Sequence, residues 1–235
     1  MGPLALMSIM RDQAHGAPDR PFATWGKEAP TYLEAYSLAT VLARYFAGVA
    51  KLSAGDAVLL SSPNTMGCIC AAAAAQACGA RTVLAPVGTP PEAVRELLRR
   101  KRPRVALVAD PATCSCVREE LPEAPVFSMG ASDVDAPSMG YMADQAIGLV
   151  DEVYLKVEDL AFDEARDAPM AFAAPDGACA TRRASELAAE GRRLAAERGL
   201  AAGERVSIAA SFCTPEGMAR VYAVLDAGAT IVLGA

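Results

Sequence analysis

Two stretches decide the fold: L-S-A-G-D-A-V-L-L-S-S at residues 52–62 and L-A-A-G-E-R-V-S-I-A-A at residues 200–210. In each, a Gly followed by an acid turns the chain, and a short apolar strand follows. Each then runs through a helical segment to a second echo, C-G-A-R-T-V-L at 78–84 and A-G-A-T-I-V-L at 227–233. Gly55 and Gly79 stand nearly as far apart as Gly203 and Gly228. Self-similarity of this kind means two related strand–helix–strand units in one chain. A crossover of this length implies parallel strands joined with right-handed connections.

Working outward, the first unit reads as a strand at 58–60, a helix over 65–78 stopped at Gly79, and a strand at 82–86. The second reads as a strand at 206–210, a helix over 215–226 with Pro215 in its first turn, a stop at Gly228 and a strand at 230–233. Between them come helices at 90–100 and 111–121, strands at 105–109 and 124–127, and a long helix at 185–199. Before them, 32–49 is an amphipathic helix, 22–25 and 30–32 read as a small hairpin around Gly26, and Leu4, Met7 and Met10 mark a short packing helix. Residues 130–151, rich in Gly, Ser, Asp and Met, read as a loop or lobe boundary. The fold class is α/β with mainly parallel sheets. One lobe spans about 16–129, a linker about 130–151 and a second lobe about 152–235.

Composition fits a packed core. The 235 residues are 53% hydrophobic and 21% charged, and mean hydropathy is +0.22. A net charge of −6 argues against DNA and anionic membranes, and RNA is not expected either. The most apolar stretch, 68–78, falls short of the roughly 18 residues of a membrane span. The seven cysteines form two C-x-C pairs with a single histidine to help, so no metal site is expected. Cys68, Cys70 and Cys78 read as core. Buried free thiols imply a reducing intracellular compartment, mitochondrial or cytoplasmic. The N-terminus has no secretory signal pattern.

At this point a family is recognisable. H-G-A-P-D-R-P-F-A-T-W-G at 15–26, the helix at 33–46, G-D-A-V-L-L-S-S-P-N at 55–64 and A-C-G-A-R-T-V-L-A-P at 77–86 resemble, in order, the opening of the AMP-dependent synthetase and ligase family. The helix at 90–100 and R-V-A-L-V-A-D at 104–110 are similar to its next blocks. The second repeat resembles the segments after the family's phosphate loop. The resemblance implies the N-terminal domain of an adenylate-forming enzyme. It also implies a chemistry in which ATP activates a carboxylate to an acyl-adenylate, which is then passed to a thiol.

That chemistry needs a Ser/Thr/Gly-rich loop with a Lys, whose amides and hydroxyls hold the triphosphate. The matching region here is A-A-P-D-G-A-C-A-T-R-R-A-S-E-L at 173–187. It has no Lys and no Ser/Thr cluster, and only Gly177 fits. Pro175 removes an amide donor and Asp176 puts negative charge where phosphate would lie. Ala174, Pro175, Asp176, Gly177 and Thr181 therefore mark a degenerate phosphate loop, with no catalytic residue and no cofactor expected. Arg182 and Arg183 read as a solvated helix start, with an anion contact as the alternative. Thr214 stands where the family often holds His. The family's downstream motifs would follow Leu233, so the chain reads as truncated.

The reading is a catalytically inactive, structural or interaction subunit of a larger assembly, with partner proteins docking on surface uncovered by truncation. The alternatives are half of a split ATP-dependent ligase completed by a second chain, and a non-turnover binder of nucleotide or acyl-CoA. Two other features read blandly: His15 as a turn or capping residue, and the basic cluster 95–104 as a solvated helix end. The acidic stretch 151–167 is expected to face solvent or that cluster.

Overall fold

Each repeat folds as its turn and cap residues dictate. The computed structural model describes residues 6–130, 133–148, 167–174 and 178–234. In chain order these form α1 (Leu6–Gly16), β1 (Ala23–Thr24), α2 (Tyr32–Arg44), β2 (Ala57–Ser61), α3 (Met66–Ala77), β3 (Arg81–Leu84), α4 (Pro91–Lys101), β4 (Val105–Val108) and α5 (Pro111–Glu120). There follow β5 (Val126–Ser128), α6 (Met139–Gly148), β6 (Pro169–Ala173), β7 (Cys179–Arg183), α7 (Ala184–Arg198), β8 (Arg205–Ser207), α8 (Pro215–Asp226) and β9 (Thr230–Val232).

The repeats β2–α3–β3 and β8–α8–β9 correspond bond for bond. Thr65 and Thr214 sit at the N-caps of α3 and α8, each accepting an amide of the first turn. The Gly55 amide donates to Gly79 O at 3.1 Å, and that of Gly203 to Gly228 O at 2.8 Å. Arg81 N donates to Asp56 O and Thr230 N to Glu204 O, each at 2.7 Å. Gly55 and Gly203 hold φ of +90° and +78°, which side-chain-bearing residues rarely adopt.

Two sheets result. The larger has six strands in the order β5-β4-β2-β3-β6-β7, and the smaller has three in the order β1-β9-β8. All pairings are parallel except β6 with β7. Each sheet draws strands from both ends of the chain: β6 and β7 close the large sheet, and β1 joins the small one.

The core explains the alanine-rich sequence. From Cys68 to Ala77 every side chain of α3 is buried. A helix enclosed all round needs small residues to let its neighbours approach, and here α1, α2 and the sheet crowd it. Its one polar core group is Gln76. Its Oε1 accepts the Leu6 amide at 3.1 Å and its Nε2 donates to Tyr222 Oη at 3.2 Å, so α1, α3 and α8 meet at one amide. The other face of the large sheet is covered by α4 and α5 through a second cluster that includes Val94, Leu98 and Val117.

Three expectations change. The helix read over 32–49 is α-helical only to Arg44 and then widens into a π-helical turn, Tyr45–Val49. The hairpin at 22–32 survives as two isolated bridges, Pro21–Thr31 and Trp25–Glu28, because β1 is recruited beside β9. Within 130–151, Met139–Gly148 is helix rather than loop, since Met142 and Ala146 at i, i+4 give it a buried side. Residues 131–132 and 149–166 lie outside the described residues, and with them all of the acidic stretch but Asp167.

Candidate functional site

In open parallel sheets, ligands lodge outside the carboxyl ends of the strands, where the strand order reverses. Here the order reverses at β2, since β3 lies to one side and β4 to the other. The rim above it is built by the loops after β2, β4 and β8 and by the β6–β7 hairpin.

The loops after β2 and β8 are stitched together by Asn64. Its Nδ2 donates to Ile208 O at 3.1 Å and Ala210 O at 2.9 Å, and its Oδ1 accepts the Phe212 amide at 2.8 Å. One side chain thus joins the equivalent loops of the two repeats. Ser61 Oγ donates to Asp110 Oδ2 at 3.3 Å, and Asp110 caps α5 by accepting the Thr113 amide at 2.8 Å. Thr214 is fully used: its hydroxyl donates to Ser211 O at 2.7 Å and accepts the Gly217 amide at 3.2 Å. Asn64, Asp110 and Thr214 thus each hold main chain at this rim. Sequence reasoning passed over Asn64; aligning 61–65 with 210–214 sets two capped helix starts side by side and points to a junction there.

Beside this junction lie two buried thiols. Cys68, in the first turn of α3, and Cys213, just before α8, are both fully buried. Cys213 Sγ donates to Ser62 O at 3.5 Å. The neighbouring Cys213 and burial push the Cys68 thiol up, whereas the neighbouring Cys68 holds Cys213 below the usual thiol range. Burial pushes Cys70 up, and Cys78 up to about 12. All seven cysteines are free, and six are buried.

The hairpin is the segment that matches a phosphate loop. Residues 169–173 of β6 pair in register with 183–179 of β7, and the Ala174 amide donates to Ala178 O at 2.9 Å. That bond closes the connection to three residues, Pro175, Asp176 and Gly177, which lie outside the described residues. Ala174 is half-buried, and Thr181 is exposed opposite Ala171. Arg182 pairs with Glu186 at 3.0 Å and Glu190 at 3.1 Å, and Arg183 lies 3.9 Å from Asp167. Both guanidinium groups therefore face carboxylates.

His15 is exposed at the end of α1, edge-on to Tyr36 at 6.3 Å. The basic cluster is paired on the protein itself: Arg95 with Glu119, Arg99 with Glu120, Arg100 with Glu96 and Arg104 with Asp56. Among the described residues no three His, Cys, Asp or Glu side chains converge as metal ligands, and no helix is long and apolar enough to cross a membrane.

Comparison with known proteins gives this geometry a family. The model of the AMP-binding enzyme family matches residues 10–171. Among solved structures, VinN is similar at 16% identity and TM-score 0.77 over 97% of this chain and 56% of its own. Mycobacterium smegmatis MbtA is similar at 22% identity and TM-score 0.78, over 97% and 43%. The O-succinylbenzoate coenzyme A synthetase MenE of Bacillus subtilis, solved with ATP and magnesium, is similar at 15% identity and TM-score 0.72, over 96% and 56%. The chain spans about half the length of these proteins. A search of curated proteins finds no match.

Proposed function

We propose that this chain, which belongs to the AMP-binding enzyme family, does not activate carboxylates itself and serves as a structural or interaction subunit. One observation carries this reading: the β6–β7 hairpin is closed by the Ala174–Ala178 bond. A triphosphate needs several amides, hydroxyls and a Lys around it. Of the three residues left, Pro175 has no amide to donate and Asp176 brings a carboxylate. The neighbouring Arg182 and Arg183 are engaged by Glu186, Glu190 and Asp167. Around the Asn64 junction the hydroxyls and the amide are committed to main chain.

An interaction role draws support from the small sheet. β8 lies at its edge. Thr230 N donates to Glu204 O, so in a parallel ladder Val206 faces β9 while the main-chain groups of Arg205 and Ser207 face away. Such an edge accepts an added strand from a partner protein.

ATP–pyrophosphate exchange over a panel of carboxylic acids tests the reading. The chain alone is expected to give background exchange with every acid. Carboxylate-dependent exchange by the chain alone would overturn it, and exchange appearing only with a co-purified second polypeptide would favour a split ligase.

A further inference from the structure

We infer that Ser185 is the phosphate acceptor of an arginine-directed serine kinase, and that a phosphate there undoes a clamp between α7 and the chain entering β6. Three adjacent arginine pairs stand in the sequence, at 99–100, 182–183 and 192–193, and only the second has a hydroxyl two residues on, in R-R-A-S at 182–185. Kinases of this type seat the two guanidinium groups on their own carboxylates and so bring that hydroxyl to ATP. The fold presents the motif at an edge. β7 ends the large sheet, and Thr181 and Arg183 on it are exposed. Residues 179–183 are already extended, as a kinase cleft requires of its substrate. The side chains of Arg182 and Arg183 are 38% and 65% exposed, so their bridges to Glu186, Glu190 and Asp167 exchange readily for outside carboxylates. Ser185 itself is half-buried in the first turn of α7, where amides have no intrahelical partner to lose.

What holds Ser185 is one side chain. Asp167 Oδ1 accepts the Ser185 amide at 2.8 Å, and its Oδ2 accepts the Ser185 hydroxyl. Asp167 lies two residues before β6, so this pair of bonds ties the entry of β6 to the start of α7. In the transfer, Ser185 Oγ attacks the γ-phosphorus of ATP and the Oγ–P bond forms. The bond from that phosphorus to the β–γ bridging oxygen breaks, ADP leaves, and the hydroxyl proton passes through the kinase's carboxylate to solvent. The product has no hydroxyl proton to give Asp167, and it sets about two negative charges against that carboxylate. The phosphate is the stronger anion at a helix N-terminus, where amides and dipole favour it. Arg183, now 3.9 Å from Asp167, is in reach to pair with it. Asp167 is therefore expelled, and α7 keeps a cap while β6 loses its tie.

The test uses the full chain with magnesium–ATP and the catalytic subunit of cAMP-dependent protein kinase. Intact mass is expected to show one added phosphoryl group, and peptide mapping to place it within 184–192, where Ser185 is the one hydroxyl. Ser185→Ala abolishes it, and Arg182→Ala with Arg183→Ala lowers the kinase's kcat/KM for the chain by about tenfold or more. The urea midpoint of the phosphorylated chain falls by several tenths molar. In Asp167→Asn, whose amide donates to the phosphate, phosphorylation leaves the midpoint unchanged or raises it. A synthetic peptide of residues 178–190 is run alongside. No phosphate on the folded chain, whether or not that peptide takes one up, would overturn the inference; uptake by the peptide alone would show that the fold hides Ser185. A phosphate placed elsewhere on the chain, or the same shift of midpoint in Asp167→Asn as in the unaltered protein, would overturn it too. Mapping on the unaltered protein decides the acceptor even where a variant folds poorly.

Discussion

Replacing Gln76 with Leu removes a polar hub while keeping its volume. In the folded chain two buried groups depend on it: the Leu6 amide at 3.1 Å and the Tyr222 hydroxyl at 3.2 Å. Gln76 is 5% exposed and Tyr222 fully buried, so water cannot replace the lost partners. Each orphaned group costs about 1–3 kcal/mol, against the small gain from burying an apolar side chain, for a net loss of about 2–4 kcal/mol. With a urea slope of about 3 kcal/mol per molar, the midpoint falls by roughly 1 M. Tyr222→Phe discriminates the cause. Alone it costs about 1 kcal/mol, but added to Gln76→Leu it removes an orphan and costs nothing or restores stability, a coupling of about 1–2 kcal/mol. The assay is urea unfolding followed by circular dichroism on the four members of the cycle. Strict additivity, or a loss below about 0.5 kcal/mol for Gln76→Leu, would refute the hub.

Other outcomes follow from the same packing. Gly217→Ala would set a Cβ 1.9 Å from Ser211 O, and Gly191→Ala one 2.7 Å from Tyr222 Cβ. Both would meet main chain, but the nearest main-chain atom to a Gly191 Cβ, Ala223 N, is 2.8 Å away, so the deeper overlap at Gly217 is expected to cost more, with a thermal midpoint lower than that of Gly191→Ala. Stability is expected to hold to about pH 9 and then fall. Burial raises Tyr32, Tyr222 and Cys70 in the fold, so above their ordinary range only the unfolded chain loses these protons, and each contributes a loss of up to about 1.4 kcal/mol per pH unit. Urea midpoints from pH 7 to 11 check this; a flat profile would contradict it. The exposed Arg99–Glu120 pair contributes about 0–1 kcal/mol, and a double-mutant cycle in 0.5 M salt should bring it near zero.

The repeats were the most legible part of the sequence. Gly, Pro and Thr fix helix ends by local sterics and capping, so the helix read over 215–226 coincides with Pro215–Asp226. Sheet partners were not legible. β1 has two residues and pairs with β9 some two hundred positions away, and no local signal encodes that distance. The helix Met139–Gly148 hid among Gly and Ser because its buried side rests on Met142 and Ala146 alone. At the site, the missing Lys and the placement of Pro175 and Asp176 could be read directly, because chemistry is carried by residue type. The Asn64 stitch and the Cys213 bond to Ser62 O could not, since both arise only when the repeats close on one another.

The central proposal is that a β6–β7 connection made of Pro175, Asp176 and Gly177, with no Lys beside it, does not hold a triphosphate. Isothermal titration of the chain with magnesium–ATP tests it most directly. The account expects no saturable heat up to millimolar nucleotide, with Arg182→Ala making no difference. Stoichiometric binding at micromolar ATP, weakened by Arg182→Ala, would contradict it.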